Sequence, residues 1–264
     1  MNHATPAELA SRLTGTPLIV MLDIDGTLAD IVEHALDARV PDSARASLRG
    51  LIAARARGVH VALVTGRSVQ DARRMVGIES VPIYGNHGME RSLFAGDVDG
   101  RTASDDATRR LRASLADLSA IERDFPGTSL EDKEFSFSLH YRAMNMVLLP
   151  RLEARVYGVA ERFGLRASPG KRVFNIVSTS SANKGDAARE IVRDAGGNAI
   201  EASIVFLGDD VTDEDAFREL SSLQNALTVR VGDVEPGTSS AAKLWVDDVA
   251  AVHTLLSMLV ASRT

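Results

Sequence analysis

Two aspartates at the end of an apolar run are the first residues of this sequence whose spacing could do chemistry. The run Pro17–Leu22 is followed by Asp23, by Asp25 and by the pair Gly26-Thr27, which permits a tight turn. Because side chains two residues apart leave an extended backbone on one face, both carboxylates can act on the same group. One could attack phosphorus to form an acyl phosphate, while the other protonates the leaving oxygen and later activates water. The pair alone fits equally well a helix-capping aspartate beside a solvated one.

Two further segments carry groups that suit a bound phosphate. Thr65-Gly66-Arg67 offers a hydroxyl and closely approaching backbone amides, and the helix N-terminus after it can attract an anion. Lys184 follows the possible N-cap residue Asn183. Because cations favour the C-terminal ends of helices, a lysine at this end indicates an anionic partner. Taken singly, each segment is also explained as an ordinary helix cap beside a solvated cation.

A dense group of acids occupies the segment Gly208-Asp209-Asp210-Val211-Thr212-Asp213-Glu214-Asp215. The helix dipole accounts for some acids at the start of a helix. It does not account for adjacent Asp209 and Asp210, whose charges repel each other. A hard cation relieves that repulsion, and carboxylates, phosphate oxygens and water are ligands that suit Mg²⁺. The segment therefore predicts a magnesium site.

These groups follow apolar runs of strand length. The runs are Pro17–Leu22, Val59–Val64, Val81–Tyr84 and Ser203–Leu207, and helical patterns lie at Ser43–Arg57, Ser68–Met75 and Lys184–Ala195. Unbroken apolar runs are typical of strands buried on both faces, as in a parallel sheet covered by helices. The alternation predicts a doubly wound α/β domain, in which ligands bind beyond the carboxyl ends of the strands. The polar groups, with Gly85-Asn86-His87-Gly88 after the third run, would then share one edge.

The middle of the chain has a different pattern. Asp105–Glu122 and Pro150–Phe163 have helical spacing, Glu134–Tyr141 alternates as a half-buried antiparallel strand, and Arg172–Val177 is another strand. We therefore predict a smaller α/β cap domain at residues 95–180, inserted into a parallel-sheet core domain of residues 1–94 and 181–264. A strand at Leu227–Val231 and a helix at Val249–Ala261 close the core domain.

Composition excludes several classes of protein. The 264 residues are 45% hydrophobic and 25% charged, which is ordinary for a folded chain, and they contain no cysteine. Disulfides, thiolate metal sites and cysteine nucleophiles are therefore excluded. The net charge of -6 disfavours binding to nucleic acid or to an anionic membrane. The aliphatic run Leu18–Leu22 is too short to span a bilayer, and no basic-then-apolar leader is visible, so we expect a cytoplasmic protein. No pattern specifies an oligomeric state.

The sequence resembles the haloacid dehalogenase superfamily of phosphotransferases. Its Asp-x-Asp-Gly-Thr motif matches Asp23–Thr27, its Ser/Thr motif matches Thr65, its lysine matches Lys184, and its distal acids match Asp209 and Asp213. Within that superfamily the chain resembles the trehalose-6-phosphate phosphatases over essentially its whole length. Further matching segments are Thr65-Gly66-Arg67, Gly85–Glu90, Glu131-Asp132-Lys133, Leu139-His140-Tyr141-Arg142, Gly170-Lys171 and Gly208–Phe217. The segments around Glu131 and His140 are much more specific than the superfamily motifs.

The resemblance implies a Mg²⁺-dependent phosphatase that hydrolyses trehalose 6-phosphate through an aspartyl-phosphate intermediate. Asp23 would be the nucleophile and Asp25 the acid/base, and Thr65 and Lys184 would hold the phosphoryl group. Mg²⁺ would be bound by Asp23, the backbone oxygen of Asp25 and Asp209, with Asp213 close by. The residues implied to bind substrate are Gly66, Arg67 and His87 in the core, and Glu131, Lys133, His140, Arg142 and Asn175 in the cap.

One departure from the family opens an alternative substrate. Where the family has a glutamate, then a basic residue and a proline, this sequence has Asn175, Val177 and Ser178. An amide accepts hydrogen bonds less strongly than a carboxylate and can also donate them. The alternative is therefore another phosphorylated disaccharide, a pseudo-disaccharide or a different sugar phosphate. A phosphomutase shares the core motifs, whereas a catalytically inactive module predicts damage to Asp23, Asp25, Lys184 or Asp209, and all four are present.

Overall fold

The structure is a computed structural model that describes residues 1–32, 38–93, 99–100, 105–133, 135–170, 172–178, 182–197, 199–232 and 239–263. Glu134 and Lys171, both named above, lie outside these residues. The chain divides into two units. The larger unit consists of Met1–Gly100 and Asn183–Thr264, and the smaller unit is Arg101–Ala182.

The strands of the described residues are numbered in chain order. They are β1 (Asn2–His3), β2 (Leu18–Leu22), β3 (Val59–Val64), β4 (Ile83–Gly85), β5 (Glu90–Ser92), β6 (Asp99–Gly100), β7 (Ser129–Asp132), β8 (Ser136–His140), β9 (Leu165–Gly170), β10 (Val173–Ser178), β11 (Ser203–Gly208), β12 (Ala226–Val231) and β13 (Leu244–Val246). The α-helices are α1 (Pro6–Arg12), α2 (Asp42–Ala53), α3 (Val69–Val76), α4 (Asp105–Ala113), α5 (Leu115–Asp124), α6 (Leu149–Phe163), α7 (Lys184–Asp194), α8 (Glu214–Leu220) and α9 (Val249–Arg263).

The larger unit is built on one mostly parallel sheet, whose strand order is β1-β13-β12-β11-β2-β3-β4-β5-β6. Along this order, each described strand from β1 through β13, β12, β11, β2 and β3 to β4 pairs in parallel with the next. The pairs of β4 with β5 and of β5 with β6 are antiparallel. The central strand β2 supplies two cores. Leu18, Val20 and Leu22 pack in one core with residues of α1, α2, α3 and α9, whereas Ile19 and Met21 pack in the other with α7 and α8. The predicted doubly wound α/β fold is confirmed.

The helices beside the candidate site begin at side-chain caps. Ser68 accepts a hydrogen bond from the backbone N–H of Asp71 at the start of α3. Asn183 accepts from the N–H groups of Gly185 and Asp186 at the start of α7. These bonds satisfy N–H groups that have no partner inside a helix, and so they fix where each helix begins. Both helix starts are therefore held beside the edge of the sheet where polar residues gather.

The smaller unit has an antiparallel sheet of order β7-β8-β10-β9, with α4, α5 and α6 packed on it. Phe137 and Leu139 of β8 are fully buried in the core that this sheet shares with the helices. The prediction that β8 is half exposed is wrong, because Ser136 and Ser138 are each only 1% exposed. Neighbouring strands on both sides of β8 help to cover such short side chains.

Two helix boundaries differ from the predictions, one at Ser114 and one at Gly58. The single helix predicted at Asp105–Glu122 is two helices separated at Ser114, whose hydroxyl donates to the Leu111 carbonyl at 2.7 Å. A serine that bonds its own turn in this way competes with regular helix geometry. The helix predicted to reach Arg57 ends as a 3-10 turn at Ala54–Arg57, and Gly58 follows in the left-handed region. No helix within the described part of the chain is both long and apolar enough to traverse a lipid bilayer.

Candidate active site

Three adjacent parallel strands deliver polar side chains to one edge of the larger sheet. Asp23 follows β2, Thr65 follows β3, and Asp209 follows β11. The register aligns Leu22 with Leu63 on one side and with Leu207 on the other, so the three strands end at the same level. The Asp23 N–H donates to the Leu207 carbonyl at 2.9 Å, which continues the β2–β11 ladder to the aspartate itself.

Lys184 joins this edge from the first turn of α7. Its side chain is 2% exposed, and Nζ lies 2.8 Å from Asp23 Oδ1 and 2.7 Å from Asp213 Oδ1. Burial by itself would lower the pKa of this ammonium, but the two carboxylates outweigh burial and hold the pKa above its ordinary value. Lys184 is therefore charged, and it bridges the end of β2 to the segment after β11.

Asp213 is a buried carboxylate that already accepts three hydrogen bonds. Besides the bond from Lys184 to Oδ1, its Oδ2 accepts from the backbone N–H groups of Asp209 at 3.1 Å and Asp210 at 3.0 Å. These bonds hold the loop after β11 against the sheet. Asp213 consequently orients both Lys184 and the backbone that carries Asp209.

The carboxylates of Asp23, Asp209 and Asp213 converge, with one oxygen of each lying within 4.8 Å of the others. All three residues are buried. Burial raises the pKa of Asp23 well above its ordinary value, and the charges of Asp213, Asp209 and Asp25 raise it further, while Lys184 opposes them. One ammonium cannot balance three carboxylates, so the cluster carries excess negative charge.

The cluster fits a divalent cation. Its donors are carboxylate oxygens, which Mg²⁺ prefers to nitrogen or sulfur ligands. Gly26, at φ +84°, brings the backbone so close that a Cβ there would lie 2.1 Å from Asp209 Oδ2. Only glycine therefore leaves room for the Asp209 carboxylate beside the turn that carries Asp23 and Asp25.

Asp25 is held by Arg67 in a bidentate pair that the sequence did not suggest. Arg67 Nε donates to Asp25 Oδ2 and a terminal nitrogen donates to Oδ1, each at 2.6 Å. Burial alone would lower the pKa of Arg67, but its bonds and charge interaction with Asp25 raise it. The available signal was the parallel pairing of β2 with β3, since extending Leu22↔Leu63 by three residues places Asp25 beside Gly66.

His87 lies against the loop that contains Thr65. Its backbone N–H donates to the Thr65 carbonyl at 2.9 Å. A Cβ on Gly66 would lie 2.6 Å from Cε1 of the His87 ring, so glycine is needed for this close approach. Thr65 is itself 1% exposed, and its Oγ1 accepts from the Arg67 N–H at 3.2 Å. Thr65, Gly66, Arg67 and His87 therefore form one packed group.

The smaller unit brings the predicted cap residues to its antiparallel sheet. The register places Glu131, Ser138 and Asn175 in one row across β7, β8 and β10. His140 Nε2 lies 3.0 Å from Glu131 Oε2, and Lys133 Nζ lies 3.5 Å from the same oxygen. The hydrogen bond with His140 is the main cause that lowers the pKa of Glu131.

Asn175 has an internal partner in this row. The Ser138 hydroxyl donates to Asn175 Oδ1 at 3.0 Å. Val177 and Ser178 are buried at 5% and 3% exposure, and Arg142 is exposed just beyond β8. The predicted site residues thus form two groups, one in each unit.

Comparison with known proteins places the chain in a family. The trehalose-phosphatase family model matches residues 21–250. A probable trehalose-phosphate phosphatase of Sinorhizobium fredii is 35% identical over 230 residues, which cover 84% of this chain and 80% of that protein. An uncharacterized glycosyl hydrolase of Mycobacterium tuberculosis is 32% identical over 214 residues, or 80% of this chain, but the chain spans only 16% of that relative's length.

A solved structure has a similar fold. The C-terminal domain of trehalose-6-phosphate phosphatase from Candida albicans superposes with a TM-score of 0.85 at 20% identity, covering 98% of each chain. At this identity the likeness concerns the fold, and the family model carries the family assignment.

Proposed function

The chain belongs to the trehalose-phosphatase family, and from that premise we propose that it is a Mg²⁺-dependent phosphatase that hydrolyses trehalose 6-phosphate to trehalose and phosphate. The observation that carries the proposal is the buried Asp23 carboxylate, 2.8 Å from the Lys184 ammonium at the edge where Thr65 and Asp209 also lie. A carboxylate held by a cation at a sheet edge suits attack on phosphorus.

The first half of the proposed reaction transfers the phosphoryl group to the protein. An Asp23 oxygen forms a bond to phosphorus while the bond between phosphorus and the sugar oxygen breaks, and Asp25 gives a proton to that oxygen. Thr65 and Lys184 hold the phosphoryl oxygens. Because Arg67 donates to both oxygens of Asp25 at 2.6 Å, at least one of these bonds must be released before Asp25 can carry a proton to the leaving oxygen. Asp25 enters this step as the neutral acid and leaves it as the carboxylate.

The second half releases phosphate. Asp25 takes a proton from water, the water oxygen bonds to phosphorus, and the bond to Asp23 breaks, which regenerates the carboxylate. Lys184 balances the charge that returns to Asp23. We propose that Asp23, Asp209 and the backbone oxygen of Asp25 would hold Mg²⁺, with Asp213 close by. When bound, the cation supplies positive charge between the carboxylates and the phosphoryl oxygens, which otherwise repel each other.

The polar side chains on the sheet of the smaller unit support a sugar as the leaving group. We propose that Glu131, Lys133, His140 and Asn175 bind sugar hydroxyls, and that Arg142 pairs with an anionic group. The Asn175 contact also supports the second candidate, a related phosphorylated disaccharide or pseudo-disaccharide. Because Oδ1 accepts from Ser138, the Asn175 amide offers its N–H donors, whereas a glutamate would offer an acceptor.

Release of inorganic phosphate tests the function. The purified protein is assayed with trehalose 6-phosphate, sucrose 6-phosphate, glucose 6-phosphate and glucose 1-phosphate, each with Mg²⁺ and with EDTA. Fastest release from trehalose 6-phosphate with Mg²⁺ supports the leading proposal, and faster release from another substrate supports the second. Isomerisation without phosphate release identifies a mutase, and inactivity on trehalose 6-phosphate with Mg²⁺ refutes the leading proposal. The cytoplasmic location stays a prediction.

A further inference from the structure

A strained turn at residues 86–88 lies beside residues 65–67. Asn86 has φ +45° and His87 has φ +59°, both in the left-handed region, and Gly88 follows at φ +100°. We call residues 86–88 the His87 turn and residues 65–67 the Thr65 loop. Residues other than glycine rarely adopt this conformation unless surrounding contacts hold them in it.

Two backbone bonds attach the turn to the loop. The Asn86 N–H donates to the Arg67 carbonyl at 2.7 Å, and the His87 N–H donates to the Thr65 carbonyl at 2.9 Å. On its other side the turn approaches the start of α7, since a Cβ on Gly88 would lie 2.7 Å from the Asn183 carbonyl. Lys184 is the next residue. The His87 turn therefore lies between two of the segments that bring groups to Asp23.

Glu90 is the side chain that holds both parts of this arrangement. It is 8% exposed, its Oε1 accepts from Asn86 Nδ2 at 2.5 Å, and its Oε2 accepts from the Val69 N–H at 2.7 Å. Val69 is the first residue of α3, and Ser68, the N-cap of that helix, directly follows the Thr65 loop. A buried carboxylate needs such bonds, and the N-terminus of a helix favours its negative charge.

We propose that Glu90 is a positioning residue for phosphoryl transfer, because its carboxylate fixes the His87 turn to the helix that follows the Thr65 loop. This inference rests on the proposed phosphatase function. Glu90 acts through the residues it holds: it fixes the His87 turn and the Thr65 loop relative to each other, beside the start of α7 that carries Lys184. Removing its carboxylate releases the left-handed turn, so these groups no longer meet a phosphoryl group in the same geometry.

The test uses four variants of the full chain. Glu90→Ala removes both acceptors. Asn86→Asp places two carboxylates face to face, and the double variant Glu90→Gln with Asn86→Asp restores one hydrogen bond by exchanging donor and acceptor. Glu190→Ala is the matched control, because Glu190 is similarly buried at 6% exposure but is held by Arg91 and Tyr84. For each protein we would measure kcat and KM for phosphate release, the inhibition constant of orthovanadate with Mg²⁺, and Tm.

A positioning role predicts a specific pattern, read at a temperature where circular dichroism shows each protein folded. Glu90→Ala and Asn86→Asp should each lower kcat about 10- to 100-fold and weaken orthovanadate inhibition by a similar factor. The double variant should recover most of the kcat that Asn86→Asp loses. Glu190→Ala should lower Tm but keep kcat close to the wild-type value.

Other results overturn the inference. It fails if folded Glu90→Ala keeps the wild-type kcat and orthovanadate affinity, or if it behaves like Glu190→Ala. If Glu90→Ala does not fold, the comparison of Asn86→Asp with the double variant decides, and equal kcat values for those two reject the role. A wild type that releases no phosphate from any substrate refutes the proposed function itself, whereas an active wild type with unaffected variants refutes only the role of Glu90.

Discussion

Replacing Lys184 with methionine tests whether this ammonium compensates buried carboxylates. Methionine has a similar length and stays apolar, so the substitution removes the charge with little change in packing. In the folded protein, Lys184 Nζ bridges Asp23 and Asp213 at 2.8 and 2.7 Å, and its side chain is 2% exposed. Without it, the cluster of Asp23, Asp209 and Asp213 loses the cation that contacts two of its three members.

The expected cost follows from the burial of the partners. Removing one member of a buried ion pair leaves an uncompensated charge, which lowers the free energy of unfolding by about 3–5 kcal/mol. At roughly 2–4 °C per kcal/mol for a chain of this size, Lys184→Met should lower Tm by roughly 6–20 °C in EDTA near neutral pH. Excess Mg²⁺ should reduce this loss, because a cation that binds only the folded state stabilises it and can replace the missing positive charge.

The loss should also shrink as pH falls. The folded-state pKa of Asp23 lies above its unfolded value of about 3.9, because burial favours the neutral acid. The stability that the neutral Asp23 contributes is therefore fully present when the pH is below the unfolded pKa. That contribution is lost as pH rises through the folded-state pKa, where the buried carboxylate becomes charged. Removing Lys184 raises this pKa further. The difference in stability between variant and wild type is therefore expected to be greatest at neutral pH and smaller in acid.

Thermal and urea unfolding, followed by circular dichroism with EDTA and with Mg²⁺ from acid to neutral pH, measures the decrease in Tm and in the free energy of unfolding. Lys243→Met is the matched control, because the Lys243 ammonium donates to the carbonyls of Leu223 at 3.2 Å and Ala226 at 3.0 Å. Lys243→Met should lower Tm less than Lys184→Met does, and this decrease should not depend on Mg²⁺. A compensating role for Lys184 is contradicted if Lys184→Met is as stable as wild type in EDTA at neutral pH, or if its decrease in Tm is independent of both Mg²⁺ and pH.

Three further predictions concern turnover. Asp23→Asn should lower kcat by up to ~10⁶-fold, on the scale of lost nucleophiles, while the protein stays folded; retention of more than about a hundredth of kcat would assign the nucleophile elsewhere. EDTA should abolish phosphate release and added Mg²⁺ should restore it, whereas full activity of metal-free protein would remove Asp209 from the mechanism. Asn175→Glu should raise kcat/KM for trehalose 6-phosphate several-fold, since a charge-assisted hydrogen bond gains about 1 kcal/mol, and should lower it for a substrate that presents an acceptor. If wild type hydrolyses trehalose 6-phosphate best and this substitution changes nothing, Asn175 does not contact the sugar.

The sequence was sufficient to predict which residues meet at the edge of the sheet, because each apolar run is recognisable by itself as a strand. Leu18–Leu22 is apolar at every position, and the structure uses its alternate residues for two cores, as a strand with helices on both faces requires. Each such run ends at a polar group, so parallel pairing was sufficient to bring Asp23, Thr65 and Asp209 together. This part of the site depends on topology rather than on the conformation of any one side chain.

The remaining details depend on contacts between residues far apart in sequence. The pair of Arg67 with Asp25 depends on how two side chains are oriented across neighbouring strands, which no local pattern specifies. The left-handed conformation of Asn86 and His87 is held by carbonyls of the Thr65 loop and by Glu90. The burial of Ser138 depends on which strands flank β8. Local sequence preference would not select any of these arrangements.

The division of the larger unit into two stretches of chain has a consequence for the order of assembly during translation. β2 can pair with β3 early, but its other neighbour, β11, begins only at Ser203. The smaller unit is contiguous, so all its internal contacts become available while one edge of β2 is still open. Asp23 leaves the ribosome long before Lys184 and Asp213, and the carboxylate cluster is completed only by the final third of the chain. A nascent chain stalled before Ser203 would leave an apolar strand edge unpaired, and such an edge favours aggregation.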